Sequence, residues 1–212
     1  MLDKLKIDVW ENCLELPKNH LVVMTSGTVS ARDEASGLVV VKPSGVNYEK
    51  LQPEDMVVVN ADGKIVEGKL KPSVDVQTHL FIYKNRKDVN GVTHTHSPYA
   101  SIFAILAEPI PCCLTASAML GGEIPIGGLA LVGGEEIGKE ILAKIGDKKA
   151  IIMQNHGIYT IGKDTFEATK FSVEVEEIAK IVHFALSRGK PVPLTEEGLR
   201  ITMDIYENQY GQ

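Results

Sequence analysis

A strand that ends in two histidines constrains this chain more than any other stretch: Gly91-Val92-Thr93-His94-Thr95-His96. It is rich in β-branched residues and is opened by a turn cluster at Asp88, Asn90 and Gly91. Side chains alternate faces along a strand, so His94 and His96 point the same way, roughly 7 Å apart. Two imidazoles on one face of a rigid element can chelate a single divalent metal; for an isolated His-x-His, a hydrogen-bonded pair is the better reading. A third histidine changes the balance. Ile151-Ile152-Met153-Gln154-Asn155-His156-Gly157 is an apolar run closing on His156 and Gly157, again a strand leaving a core for a turn. Three neutral imidazoles around one ion leave a coordination position open for substrate, the pattern of a catalytic site.

The length of 212 residues suits one domain spanning 1–212, and 44% hydrophobic residues supply a large core. A net charge of -6 with scattered lysines and arginines excludes the electrostatic footprint of a nucleic-acid binder. No apolar run reaches membrane-spanning length, and the first residues lack a signal peptide's apolar stretch. Cys13, Cys112 and Cys113 form neither a disulfide framework nor a CxxC motif. They read as small core residues, and the expected compartment is a reducing cytoplasm.

Apolar spacing at Leu5, Val9, Cys13 and Leu16 predicts a helix over Leu2 to Leu16 that stops before Pro17. Strands are expected at Leu21 to Thr25, Leu38 to Lys42 and Met56 to Asn60, with a hairpin at Asp62-Gly63 returning through Lys64 to Glu67. Between the first two lie the turns Ser26 to Ser30 and Ser30 to Asp33. Helices are expected through His79, Phe81 and Tyr83, then from Pro98 to Ala107 and Glu135 to Ile145. The Ile151 strand, a strand at Tyr159 to Ile161, and helices over Thr165 to Ser187 and Thr195 to Tyr206 complete the chain. Glycine pairs at 121–122, 127–128 and 133–134 punctuate the middle. Such mixing of strands, hairpins and helices predicts an α/β domain: three layers, with helices flanking a central, largely antiparallel sheet.

Three small-residue turns stand out: Ser26-Gly27-Thr28, Pro43-Ser44-Gly45 and Pro72-Ser73. Glycine backbone N–H groups, serine hydroxyls and a helix N-terminus together make an anion cradle. Singly each is an ordinary turn; beside a metal site the three point to a phosphate-carrying substrate, with Lys42 adding positive charge. Asp75 could be a fourth metal ligand, a base held near the metal, or a plain helix N-cap. His79 reads as a helix-face residue behind the site.

Thr25-Ser26-Gly27-Thr28-Val29-Ser30, Lys42-Pro43-Ser44-Gly45-Val46, Pro72-Ser73-Val74-Asp75, His94-Thr95-His96-Ser97 and Asn155-His156-Gly157 together resemble the class II sugar-phosphate aldolase/adducin family. The resemblance runs through nearly the whole chain. Leu16-Pro17, Asp55 to Val59 and the terminal Tyr210-Gly211-Gln212 resemble its ribulose-phosphate epimerases more than its fuculose-phosphate aldolases.

What the resemblance implies is specific. His94, His96 and His156 hold zinc or a similar divalent ion such as manganese or cobalt, and Asp75 reaches the metal or serves as acid/base. Gly27, Thr28, Lys42, Ser44, Gly45 and Ser73 bind a phosphorylated ketose. The implied reaction is retro-aldol cleavage through an enediolate; an epimerase re-forms the bond on the opposite face, an aldolase releases the aldehyde. A homotetrameric ring with active sites between subunits is implied, Tyr210 crossing the boundary as acid/base. Non-catalytic adducin-like members lack the histidine set. The chain departs from the epimerase pattern in three ways: Ala118 and Ala116 stand where an acid/base aspartate and a nearby histidine are expected, Thr28 replaces an asparagine, and Val74 a second phosphate-site serine.

Overall fold

The strand signals resolve into β1 (Thr28–Arg32), β2 (Val39–Val41), β3 (Val57–Val59), β4 (Ile65–Glu67), β5 (Gly91–Thr95), β6 (Ile126–Gly127), β7 (Ala150–Met153) and β8 (Gly157–Gly162). In a computed structural model that describes residues 2–209 they form one sheet in the order β4-β3-β2-β1-β5-β8-β7-β6. Every pairing is antiparallel except the edge pair β6–β7, so the sheet is mixed and largely antiparallel.

The valine runs show why the sheet is covered on both faces. Val39, Val41, Val57 and Val59 point into one core, while Val40 and Val58 point into another on the opposite side. Period-two alternation with no polar face requires helices above and below. Helices α2 (Val76–Asn85) and α4 (Glu136–Lys144) close the first face through Leu80, Tyr83, Ile137 and Ile141. Helices α1 (Asp3–Lys18), α3 (Pro98–Leu106) and α5 (Thr165–Leu186) close the second. Each fully buried Val, Ile or Phe contributes roughly 1.5–3 kcal/mol. The Asp164 carboxylate caps α5 by accepting the Glu167 N–H at 2.8 Å, worth about 1 kcal/mol. Helix α6 (Glu196–Asn208) lies against the 3-10 turn Thr115–Leu120.

Two expectations fail near the N-terminus. Helix α1 runs through Pro17, because Asn19 donates both its backbone N–H and its side-chain amide to the Glu15 carbonyl and holds the last turn. Residues 21–25 are no strand. His20 and Met24 take left-handed backbone conformations, φ 57° and 58°, and Ser26 folds back on Val23. The strand lies instead at Thr28–Arg32, where turns were expected, because only that register sets Val29 and Ala31 into the core between β2 and β5. Cys13 is in the core, but Cys112 and Cys113 are only half-buried. Among the described residues no helix is long and apolar enough to cross a membrane.

Candidate active site

The end of β5 and the start of β8 lie side by side, His94 opposite Tyr159 and Thr95 opposite Ile158. His94 lies on the same face as Val92, so it projects toward α2. His156 arrives from the turn before β8, where Asn155 adopts φ 55°, a left-handed conformation asparagine tolerates. Gly157 permits the approach: a Cβ there would stand 2.4 Å from the Thr95 carbonyl oxygen, 2.7 Å from His96 Cδ2 and 3.2 Å from His94 Cε1.

The three rings converge. Centroids of His94 and His96, and of His94 and His156, are 4.7 Å apart, and their ligating nitrogens all lie within 4.8 Å of one another. Nδ1 of His94 donates to the Ile158 carbonyl at 2.9 Å; a carbonyl only accepts, so the proton sits on Nδ1 and Nε2 keeps a lone pair. Nδ1 of His156 is buried without any hydrogen-bond partner. Burial pushes His94 down to about 3, and lowers His96 and His156 as well, the Asp75 charge only partly opposing it. Neutral imidazoles with free lone pairs are the donor set a divalent ion takes. His94, His96 and His156 could therefore hold one.

Asp75 occupies the N-cap position of α2 but makes no capping bond. Its carboxylate turns inward instead. Oδ2 accepts from Thr28 Oγ1 at 2.9 Å and Ser73 Oγ at 3.2 Å, and Oδ1 from the Tyr159 hydroxyl at 3.4 Å. The cluster of three histidines does not include it. Burial pushes the Asp75 carboxyl up, but His94, His79 and the Thr28 hydroxyl outweigh it and bring it to about 2. Asp75 is a carboxylate at neutral pH.

The three turns meet at the same place. Thr28 Oγ1 contacts Ser73 Oγ at 2.5 Å. The segments bearing Ser44 and Ser73 are zipped together by Ser44 N–H to Lys71 O and Ser73 N–H to Lys42 O. Gly27 needs its φ of 82° and its missing Cβ, which would otherwise meet Val22 at 2.5 Å and the His94 carbonyl at 3.0 Å. Ser44 and Gly45 are exposed at the rim. Lys42 is 1% exposed; its ammonium donates to the Thr25 carbonyl at 2.9 Å and sits 4.8 Å from the Tyr48 ring centroid. Burial lowers the Lys42 ammonium, and Cys13, itself pushed up to about 12 by burial, is a neutral thiol that cannot pair with it. The Asp75 carboxylate acts on this ammonium from a distance and partly opposes its burial, and an ammonium in no direct ion pair, among glycine and serine turns, suits an incoming anion.

Tyr159 is a neighbour of the histidines and Asp75 that sequence reading missed. It stacks on His94 at 4.2 Å and touches Asp75, and only the pairing of β5 with β8 reveals it. His79 is fully buried, its Nδ1 2.7 Å from Ser30 Oγ, which in turn meets the Tyr83 hydroxyl at 2.8 Å. Ala118 is a buried residue of the 3-10 turn. Tyr210 lies outside the described residues.

Known proteins share this arrangement of strands and turns. L-Ribulose-5-phosphate 4-epimerase UlaF of Salmonella paratyphi B is 39% identical over 198 residues, covering 87% of this chain and 86% of that protein. The solved structure of an L-fuculose 1-phosphate aldolase superposes with a TM-score of 0.92 at 28% identity over 96% of each chain. An L-fuculose 1-phosphate aldolase from Glaciozyma antarctica shares the fold at 24% identity, TM-score 0.83, over 95% of this chain and 81% of that one. Residues 7–183 match the model of the Class II Aldolase and Adducin N-terminal domain, and the chain belongs to that family.

Proposed function

We propose that this protein is a metal-dependent enzyme acting on a phosphorylated ketose by retro-aldol chemistry, with 4-epimerisation of L-ribulose 5-phosphate as its reaction. The observation that carries this reading is the set of three neutral imidazoles, their donor atoms within 4.8 Å, beside the ionised Asp75. The identity to a ribulose-phosphate epimerase supports the substrate.

His94, His96 and His156 would hold zinc, or manganese or cobalt, which accept the same donors. A divalent ion there supplies Lewis-acid polarisation of the ketose carbonyl. The protein's residues do the rest. Gly27, Ser44, Gly45, Ser73 and the Lys42 ammonium take the phosphate and fix the sugar's register. Thr28 and Ser73 orient the Asp75 carboxylate, whose long 3.4 Å contact with Tyr159 leaves Oδ1 able to accept a proton from a substrate hydroxyl. Asp75 would act as this base beside the metal. Tyr210 is the complementary acid/base, reaching a neighbouring subunit's site in a homotetramer.

One observation favours a second reading, aldol cleavage with release of the aldehyde. Ala118 can transfer no proton, which removes one of the two acid/base groups that a faces-exchanging epimerase uses. Incubating zinc-loaded protein with L-ribulose 5-phosphate and following the C4 configuration against free aldehyde separates the two. Inversion without aldehyde supports the epimerase; stoichiometric aldehyde supports the aldolase. A protein that binds no metal and yields neither product overturns both.

A further inference from the structure

The three histidines are not held alike. Nδ1 of His94 is tied to the Ile158 carbonyl, and His156 follows the left-handed turn at Asn155. His96 has neither support. It lies one residue past β5, whose pairing with β8 ends at Thr95 and Ile158 and whose pairing with β1 ends at His94 and Thr28. His96 is exposed, and among the described residues no hydrogen bond reaches either of its ring nitrogens. What fixes this ring is the backbone of Thr95-His96-Ser97, the turn from β5 into α3.

That turn is gripped from outside. Ser97 occupies the N-cap position of α3, where a serine hydroxyl ordinarily accepts an N–H of the first helical turn. It makes no such bond, and its Oγ is buried without a partner. The N–H groups of Tyr99 and Ala100 donate instead to the two carboxylate oxygens of Glu176 on α5, at 2.9 Å each. A hydroxyl on Ser97 would satisfy the helix but move with it; a carboxylate on another helix fixes where α3 begins. Helix α5 is itself registered on the strands beside the histidines. Thr169 Oγ1 lies 3.2 Å from Thr93 Oγ1 on β5, and Ser172 Oγ lies 2.7 Å from Thr160 Oγ1 on β8. Thr169, Ser172 and Glu176 follow at intervals of three and four, so they share one face of α5. From Thr169 to Glu176 is about 10 Å of helix, and from Thr93 to His96 about 10 Å of strand. One helix face thus measures off the distance from the strand anchor to the turn.

We propose that Glu176 is the positioning residue for His96: it clamps the first turn of α3 and so holds the turn that carries this imidazole. Glu176 stands outside the histidine cluster and acts through the backbone alone. The inference rests on the metal reading of the three histidines.

The test compares Glu176→Gln with Asp164→Ala in the full chain. Glutamine keeps the size of the side chain but only one acceptor oxygen, so one of the two N–H groups loses its bond. Asp164→Ala removes the cap at the start of α5 and leaves the β5–α3 turn alone. Each variant is expected to lower the melting temperature of the metal-free protein by about 2–4 °C, the shift that one lost cap gives a chain of this size. Zinc affinity, measured by competition with a chromophoric chelator, is expected to fall about tenfold in Glu176→Gln and to stay within about twofold of the parent in Asp164→Ala. The visible bands of the cobalt-loaded protein, which report the number and arrangement of ligands, are expected to change in Glu176→Gln alone. Parental affinity and bands in Glu176→Gln overturn the proposal and leave the metal site standing. An equal loss of affinity in both variants makes the effect one of stability and overturns it too. A parent that takes up neither zinc nor cobalt overturns the site reading and this proposal together.

Discussion

Replacing Gly157 with alanine tests the geometry of the histidine cluster without touching a histidine. The added Cβ would stand 2.4 Å from the Thr95 carbonyl oxygen, a backbone atom on the paired strand, and 2.7 Å from His96 Cδ2. Restoring ordinary contact requires β8 to retreat from β5 by about 1 Å, and overpacking of this kind costs about 1–3 kcal/mol. Stiffening of the unfolded chain returns about 0.4–1 kcal/mol of that. His156 is the preceding residue and moves with the strand, whereas metal–ligand distances hold within about 0.2 Å. Zinc affinity should fall about 10–100-fold. At saturating zinc, a 100-fold loss removes about 2.7 kcal/mol of the metal's stabilisation of the folded state. Competition with a chromophoric chelator measures the affinity, and melting of the apo and zinc-loaded forms measures the stabilisation. A variant whose apo form melts lower but which takes up zinc as tightly as the parent refutes the claim that this close approach positions His156.

Stability of the metal-free protein should fall with acidification. His79 and His94 have folded-state values of about 4 and about 3 against 6.5 unfolded, so the unfolded state binds more protons below pH 6.5. Asp75, about 2 against 3.8, extends the loss further down; urea midpoints at stepped pH should be flat above 6.5 and decline from there to about 4, and an unchanged midpoint over that window would contradict the burial of both rings. Lys42→Met should raise the KM for a sugar phosphate about tenfold with little change in kcat, the signature of lost ground-state binding. It should also cost about 1–3 kcal/mol, because the Thr25 carbonyl loses its buried donor. Thr28→Val should lower kcat more than KM, since the hydroxyl that holds Asp75 and Ser73 disappears. An unaltered kcat would show that Asp75 needs no such support.

The histidine trio was legible because strand periodicity puts His94 and His96 on one face, and because the second apolar run closes on His156. Core strands were legible where valines ran unbroken, as at 39–41 and 57–59. What failed was decided by packing rather than local preference. Leu21 to Thr25 has strand composition, yet the sheet took Thr28–Arg32, whose serine and threonine look like turn residues until their hydroxyls meet Ser73, Asp75, His79 and Tyr83. Asp75 as a helix cap was a sound local reading, and the structure shows it at the cap position while its carboxylate turns to Thr28, Ser73 and Tyr159. The place of Tyr159 beside His94 depends on a pairing of strands far apart in sequence.

The connection between β6 and α4 leaves the sheet's only parallel pairing among the described residues, a two-residue edge strand, while the histidines rise from strands at its middle. Amide exchange should therefore be quickest around 127–134 and slowest in β5 and β8. Residues 129–133 can therefore be redrawn with small penalty to the fold while the histidines stay in place.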